Sequence, residues 1–150
     1  MANVTDEAKC QQIEAMYQKS RRLFPEVPEL TAEELAARRS EEKVVLVDVR
    51  SPAEQAVSMI PGAITSEQFE QNPSEYEGAT IVTYCTIGHR SGLYAQQLLT
   101  RGLTAVNLKG AILAWTHNGG ELKNAEGPTH RLHVNNPKCA LQAEGYEGVW

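Results

Sequence analysis

The sequence has no apolar run that approaches the roughly 20 residues needed to cross a bilayer, so we expect no membrane partner. Its N-terminus has neither the charged-then-apolar order of a secretion signal nor the arginine-rich order of a transit peptide. Three widely spaced cysteines, Cys10, Cys85 and Cys139, do not suit a disulfide framework because their number is odd. We therefore expect a cytoplasmic protein whose cysteines are thiols.

Positive charge is also in short supply. Lysine and arginine total 14 against 19 aspartate and glutamate residues, which gives a formal net charge of −5 and argues against a nucleic-acid partner. The 41% hydrophobic and 22% charged residues are typical of a folded protein, and neither repeats nor low-complexity tracts occur. The 150 residues suffice for one domain with its own core.

Helix signals recur along the chain. Apolar residues at helical spacing predict a first helix over residues 6–22, and Thr31 with Glu34 forms a capping box that begins a second. Ser51 before Pro52 marks another helix start, because serine caps helices and proline suits their first position. Further helices are expected near Ser91–Gly102, with Leu93, Leu98 and Leu99 on its inner side, and over 111–120.

Short β-branched runs lie between these helices. Strands are predicted at residues 44–47, 79–84 and 103–108, whose nearly continuous apolar character suits strands covered on both faces. Strands that alternate with helices predict an α/β domain with a mostly parallel sheet. The last 30 or so residues show no clear period; Tyr146 and Trp150 are interpreted either as anchors or as a partner-binding end.

Cys85 lies where the strand over 79–84 ends and the helix near Ser91 approaches. In an open parallel sheet, ligands collect at the carboxyl ends of the strands. The helix N-terminus, the amides of residues 86–90 and Arg90 favour a thiolate, and Gly88 permits a tight turn. This pattern predicts a nucleophile in an anion-binding nest, although buried cysteines are often inert. His89 is either a general base or a packing residue.

Three stretches together resemble a rhodanese (sulfurtransferase) domain: "VVLVDVRSPAEQ", "IPGAI" and "IVTYCTIGHRSGLYAQQLLTRGLTAVNLKGAILAW". The resemblance covers residues 29–122 and implies an open, mostly parallel five-stranded sheet with helices on both faces. Residues 1–28 would be a helical extension, and residues 123–150 a tail packed on the domain. Two positions depart from the family: Met59 stands where histidine is common, and Gly110-Ala111 where two glycines are common.

The resemblance implies sulfur transfer through a persulfide on Cys85. This residue would take the outer sulfur of thiosulfate or another small anionic donor and pass it to an acceptor thiol or cyanide, without a cofactor. The family implies substrate contacts from the residues that follow the cysteine: Thr86, Ile87, Gly88, His89 and Arg90. It also implies a structural role for Asp48 and Arg50, with Glu54 as the carboxylate that pairs with Arg50.

Other functions stay open at this stage. Some rhodanese-like domains are binding modules, and related phosphatases and arsenate reductases have arginine at the sixth position after the cysteine. Here Arg90 is at the fifth position, and the shorter loop favours sulfur transfer. His130, His133 and Cys139 are too scattered for a structural zinc site, so we expect no metal. Cys10 or Cys139 could act as a resolving thiol.

Overall fold

The computed structural model describes residues 4–40 and 43–150, so residues 1–3 of the predicted extension and residues 41–42 lie outside the described residues. The helices are α1 (Asp6–Arg21), α2 (Ala32–Arg38), α3 (Pro52–Val57), α4 (Ser66–Gln71), α5 (His89–Thr100) and α6 (Ala111–His117). The strands are β1 (Glu29–Leu30), β2 (Val44–Asp48), β3 (Ile64–Thr65), β4 (Thr80–Tyr84), β5 (Ala105–Leu108), β6 (Leu122–Asn124), β7 (Gly127–Thr129), β8 (Arg131–His133) and β9 (Glu147–Val149). Within the described ranges, no helix is long and apolar enough to cross a membrane.

The central sheet has five parallel strands in the order β1-β5-β4-β2-β3. The register of β2 and β4 places Asp48 opposite Tyr84, so the carboxyl ends of the two central strands lie side by side. This arrangement confirms the predicted α/β class and the open five-stranded sheet. It also brings Asp48 to the same edge of the sheet as Cys85, which follows Tyr84.

Helices cover both faces of the sheet, as predicted. Successive strand residues point to opposite faces, so Leu46 and Val82 join one buried cluster while Val47 and Ile81 join another. The first cluster contains residues of α2, α6 and the tail, and the second contains residues of α4 and α5. Burial on both sides explains the nearly continuous apolar runs of the central strands.

The predicted helix starts are present. Thr31 Oγ1 accepts from the Glu34 N–H at 3.1 Å while the Glu34 carboxylate accepts from the Thr31 N–H at 2.9 Å, which confirms the capping box. Ser51 caps α3, whose first residue is Pro52. Helix α5, however, begins at His89 and not near Ser91, so the connection from β4 is shorter than the sequence indicated.

The inner face of α5 also differs from the prediction. Leu98 is fully buried, but Leu93 is 38% exposed. Gly92 and Ala95 face the core in its place. The reason is the Phe24 ring, which packs so closely on Gly92 that an added β-carbon would collide with it. A small residue is therefore required where a leucine stripe was expected.

The N-terminal segment, predicted as an extension, contributes to the core. Ile13 and Tyr17 of α1 are buried, and so are Phe24 and Val27, which follow it. Ile13 joins the cluster on one face of the sheet, whereas Tyr17, Phe24 and Val27 join the other. The segment therefore packs against both α5 and α6.

The tail forms an antiparallel hairpin of β6 and β7 and a parallel pair of β8 and β9. Met59, one of the two departures from the family pattern, joins it through paired backbone hydrogen bonds with Lys123. The Tyr146 hydroxyl donates to the Gly120 carbonyl at 2.7 Å, which agrees with its predicted anchoring. The same prediction is wrong for Trp150, which is 64% exposed at the chain end.

Candidate active site

Cys85 lies at the bottom of a tight loop between β4 and α5; we call residues 85–90 the Cys85 loop. Its side chain is 1% exposed. The Gly88 N–H donates to Sγ at 3.2 Å, and the hydroxyl of buried Ser91 donates to Sγ at 3.4 Å. Sequence reasoning assigned no role to Ser91 beyond the helix start. Both donors stabilise negative charge on the sulfur.

The remaining amides around the loop are available to a ligand. Five backbone N–H groups donate to no acceptor within residues 4–40 and 43–150. They belong to Thr86, Ile87, His89, Arg90 and Ser91. Three of these belong to the first turn of the 12-residue helix α5, where the helix dipole is positive. Of the predicted nest, only the Gly88 amide contacts the sulfur directly, and the others suit an anion.

Gly88 is held from three directions. Its φ of +117° is one that only glycine adopts readily, and the Tyr17 ring lies 2.7 Å from the position of an added β-carbon. The Asn107 amide donates to the Gly88 carbonyl at 3.0 Å, and the Thr83 hydroxyl lies 3.1 Å from Asn107 Oδ1. Residues from α1, β4 and β5 thus fix the glycine whose N–H contacts Sγ.

His89 and Ile87 face away from the sulfur. His89 Nδ1 lies 2.9 Å from Ser20 Oγ, so this side chain joins α5 to α1. Ile87 packs against the buried cluster that contains α6. The contact with Ser20 favours the interpretation of His89 as a packing residue.

Glu54 pairs with Arg90, and the predicted pairing with Arg50 is wrong. Arg90 Nη1 and Nη2 donate to the two Glu54 carboxylate oxygens at 2.9 and 3.0 Å, and Nη2 also donates to Thr86 Oγ1 at 3.1 Å. Burial alone would raise the pKa of Glu54, but the hydrogen bonds and charge of Arg90 outweigh it and lower that pKa. Hydrogen bonding to Glu54 raises the pKa of Arg90, and the nearby Cys85 adds to the effect.

Arg50 is occupied by Asp48, which explains why it does not reach Glu54. Its Nη2 donates to Asp48 Oδ2 at 2.8 Å and to the Ser58 carbonyl at 2.6 Å, and both charged side chains are fully buried. Burial opposes the charge, but Asp48 outweighs it and raises the pKa of Arg50. The guanidinium carbon lies 5.7 Å from the centre of the Tyr84 ring, directly before Cys85. This pair supports the strand ends beneath the loop.

The carbonyls of the loop are held by α6. The Ile112 and Leu113 N–H groups donate to the Cys85 and Thr86 carbonyls, each at 3.2 Å. Ala111, which replaces the second glycine of the family pattern, has a φ of +50°. Alanine adopts this left-handed conformation at a cost that glycine avoids, so the hydrogen bonds from the next two residues must hold it there.

One residue of the site was missed entirely. Asn135 follows β8 in the tail, and its side-chain amide contacts Thr86, Glu54 and Arg90. No sequence signal linked it to the loop, because Asn135 is 49 residues beyond Thr86. Its one local signal, an asparagine pair before proline, is typical of turns.

The other two cysteines remain separate thiols in the described chain. Cys10 is exposed on α1, where partial burial and Asp6 raise its pKa. Cys139 is half-buried against the core. A resolving role for either thiol stays a prediction. Among the described residues, no three histidine, cysteine or acidic side chains form a group that could hold a metal.

A family model described as a rhodanese-like domain matches residues 31–118, more than half of the chain. The chain belongs to the rhodanese-like domain family. The match includes β2, β4, α5 and the Cys85 loop, but it excludes α1 and the tail. Three contacts of the loop, those of Tyr17, Ser20 and Asn135, therefore come from outside the matched region.

Relatives of this rhodanese-like chain agree with that assignment. A protein of Allochromatium vinosum named sulfurtransferase is 35% identical over 109 residues, which cover 67% of this chain and 99% of that protein. An uncharacterised protein of Synechocystis is 39% identical over 85 residues, 54% of this chain, and the chain spans about half (48%) of its length. The thiosulfate sulfurtransferase structure from Pseudomonas aeruginosa has a TM-score of 0.61 at 24% identity, covering 75% of this chain and 23% of that one, and shows the shared fold.

Proposed function

We propose that this protein is a sulfurtransferase that carries sulfur as a persulfide on Cys85. One observation carries the proposal: Sγ accepts from Gly88 and Ser91 in a loop whose other amides are free to bind an anion. The sulfurtransferase from Allochromatium, which aligns over almost its full length, supports the same class of reaction.

The first half-reaction loads the cysteine. The Cys85 thiolate attacks the outer sulfur of thiosulfate, the sulfur–sulfur bond of the donor breaks, and its electron pair leaves with sulfite. Cys85 then holds a perthiolate, Cys–S–S⁻, with one negative charge, and sulfite takes away two. The free amides of the loop stabilise both anions as charge moves between the sulfurs.

The second half-reaction transfers the sulfur from Cys85 to an acceptor. An acceptor thiolate attacks the terminal sulfur of the perthiolate, a new sulfur–sulfur bond forms on the acceptor, and the Cys85 thiolate leaves with the electron pair of the broken bond. Cyanide would take the same sulfur to give thiocyanate. The two halves constitute covalent, double-displacement catalysis with Cys85 regenerated.

Thr86 and Arg90 are proposed to hold the donor, Thr86 through its backbone N–H and Arg90 through its charge, whereas the Gly88 N–H, also expected to contact the donor, contacts Sγ. The Arg90 side chain is 40% exposed, so guanidinium N–H groups remain accessible despite the pair with Glu54. The Ser91 hydroxyl, like the Gly88 N–H, is proposed to stabilise Sγ. Ile87 and His89 contribute their amides, since their side chains pack elsewhere.

The test is direct detection of the bound sulfur. We expect the reduced protein, incubated with thiosulfate and freed of small molecules, to gain one sulfur atom on the Cys85 peptide by mass spectrometry. Cys85→Ser should lose both the adduct and the turnover with cyanide, because a serine hydroxyl stays protonated near neutral pH.

The other two cysteines supply matched controls. Cys10→Ser and Cys139→Ser should keep the adduct and the rate. Absence of an adduct from thiosulfate and from an organic persulfide, with Cys85 still open to alkylation, would overturn the proposal. Hydrolysis of a phosphate ester that depends on Cys85 would point instead to a phosphatase.

A further inference from the structure

The tail brings the Asn135 side chain to the Cys85 loop. Asn135 has a φ of +74°, and the residue before it, Val134, is fully buried and donates its N–H to the Val149 carbonyl at 2.8 Å. The Asn135 N–H itself donates to His133 Nδ1 at 3.1 Å. Fixed backbone on one side and a left-handed conformation at the residue itself direct the side chain toward the site.

The Asn135 amide completes a ring of polar side chains. In the orientation that satisfies its neighbours, its nitrogen donates to Glu54 Oε1 at 3.1 Å. Its oxygen accepts from Arg90 Nη2 at 3.1 Å and from the Thr86 hydroxyl at 3.0 Å. Arg90 in turn contacts both Glu54 and Thr86, so Arg90 and Asn135 each contact the other three members of the ring.

The members of the ring differ in exposure. Glu54 and Thr86 are buried at 5% and 3% exposure, whereas Arg90 is partly exposed and Asn135 is exposed. Glu54 therefore holds Arg90 from inside the protein, and Asn135 holds it from the solvent side. Without Asn135, Nη2 loses an acceptor and the Thr86 side chain loses its second partner.

We infer that Asn135 is a positioning residue for the anionic sulfur donor, an inference that rests on the proposed function. Its amide orients the Arg90 guanidinium and, through the hydroxyl, the Thr86 residue whose N–H lines the loop. In the described part of the chain, the Asn135 side chain makes no hydrogen bond to Cys85. The contribution of Asn135 is therefore to donor binding, with little effect on the nucleophile.

Asn135→Gly separates this role from a contribution to folding. Glycine adopts the left-handed conformation without strain, so the variant keeps the backbone and loses only the amide. We expect the KM for thiosulfate to rise roughly three- to tenfold, the factor that one net hydrogen bond represents. The kcat should change less than twofold, and the midpoint of thermal unfolding should not fall.

Asn136→Ala is the matched control. The Asn136 side chain accepts from the Lys138 N–H at 2.9 Å and makes no hydrogen bond to the ring in the described structure. Its KM should stay at the wild-type value. A wild-type KM for Asn135→Gly, or an equal rise in both variants, would overturn the inference, since the amide would then act only on the tail.

A second readout does not need turnover. Sulfite, the anionic product, should slow alkylation of Cys85 by iodoacetamide, and a higher sulfite concentration should be needed for Asn135→Gly. If the wild-type protein gains no sulfur, the proposed function fails, yet weaker sulfite protection in this variant still supports an anion site positioned by Asn135. Equal protection in both proteins, or none in either, would show that Asn135 positions no anion.

Discussion

The two flanks of the Cys85 loop differ in polarity. On one flank, the Tyr17 ring lies against Gly88 and the Phe24 ring against Gly92, and both rings are fully buried. On the other flank, the tail offers the amide of exposed Asn135 to Arg90 and Thr86. The first flank is apolar and closed; the second is polar and open to solvent.

We expect the apolar flank to control the shape of the loop and the polar flank to control its interactions with charge. Close-packed rings tolerate almost no change of volume, so the apolar flank fixes the position of the loop backbone. Hydrogen-bonded groups near water adjust more readily and respond to pH and ions, so the polar flank should determine how the proposed anionic donor binds. Substitutions on the first flank should therefore affect folding, and those on the second should mainly affect binding and pH response.

Gly88→Ala should have the largest effect on stability, because alanine would strain the backbone and also collide with the apolar flank. The φ of +117° costs alanine about 1–2 kcal/mol, and collision with Tyr17 adds about 1–3 kcal/mol of overpacking. Gly102→Ala is the control, since its φ is +84° and, beyond its two chain neighbours, no atom of the described residues lies within 4 Å of an added β-carbon. Urea denaturation should show the larger loss for Gly88→Ala; equal losses would mean that Tyr17 does not confine the loop.

Gly92→Ala should have the second-largest effect on stability. It tests the same flank without backbone strain. Alanine is the better helix former by about 1 kcal/mol, so any destabilisation must come from collision with Phe24. We expect a net loss of about 1–3 kcal/mol in the free energy of unfolding. Phe24→Leu in the same chain should recover part of it, and simple additivity of the two changes would contradict the close contact.

Glu54→Gln should have a smaller effect on stability than either glycine substitution, and the clearest dependence on pH. Because Arg90 lowers the pKa of Glu54, the stabilisation is complete above the unfolded value, about 4.3, and disappears as pH falls through the lower folded value. Wild-type stability should therefore fall below about pH 4.3, and the variant should lack that part of the slope. At pH 7 the variant should lose about 1 kcal/mol.

Glu70→Gln supplies the comparison for this pair. Both carboxylate oxygens of Glu70 accept from one nitrogen of Arg101, Nη1, and both side chains are more than 40% exposed. An exposed pair of this kind contributes about 0.5 kcal/mol or less. The free energy of unfolding, measured by denaturation from pH 7 to 3, should change less for Glu70→Gln than for Glu54→Gln. If the two variants gave the same curve, the two ion pairs would contribute equally to stability.

Local chemistry predicted much of the fold. The capping box of Thr31 and Glu34, the Ser51-Pro52 start and the three β-branched runs depend on neighbours in the chain, and the structure contains them all. The position of Cys85 between a strand and a helix followed from the same patterns. Leu93 was placed on the wrong side of α5, because the ring that displaces it comes from Phe24, far away in sequence.

The missing parts of the site depend on contacts that spacing does not encode. The family resemblance implied Arg50 as the partner of Glu54, whereas the structure pairs Glu54 with Arg90. Only the structure shows that Asp48 already occupies Arg50. Asn135 depends on the path of a tail without a period, so no pattern in the chain could have brought it to Thr86.

The position of α1 outside the matched family region has a consequence for solubility. A fragment limited to residues 31–118 would keep Gly88 and Gly92 but lose the rings of Tyr17 and Phe24 that cover them. Water would then contact an apolar strip beside Cys85, and such strips promote self-association. A fragment limited to the family region should therefore self-associate more readily than the full chain.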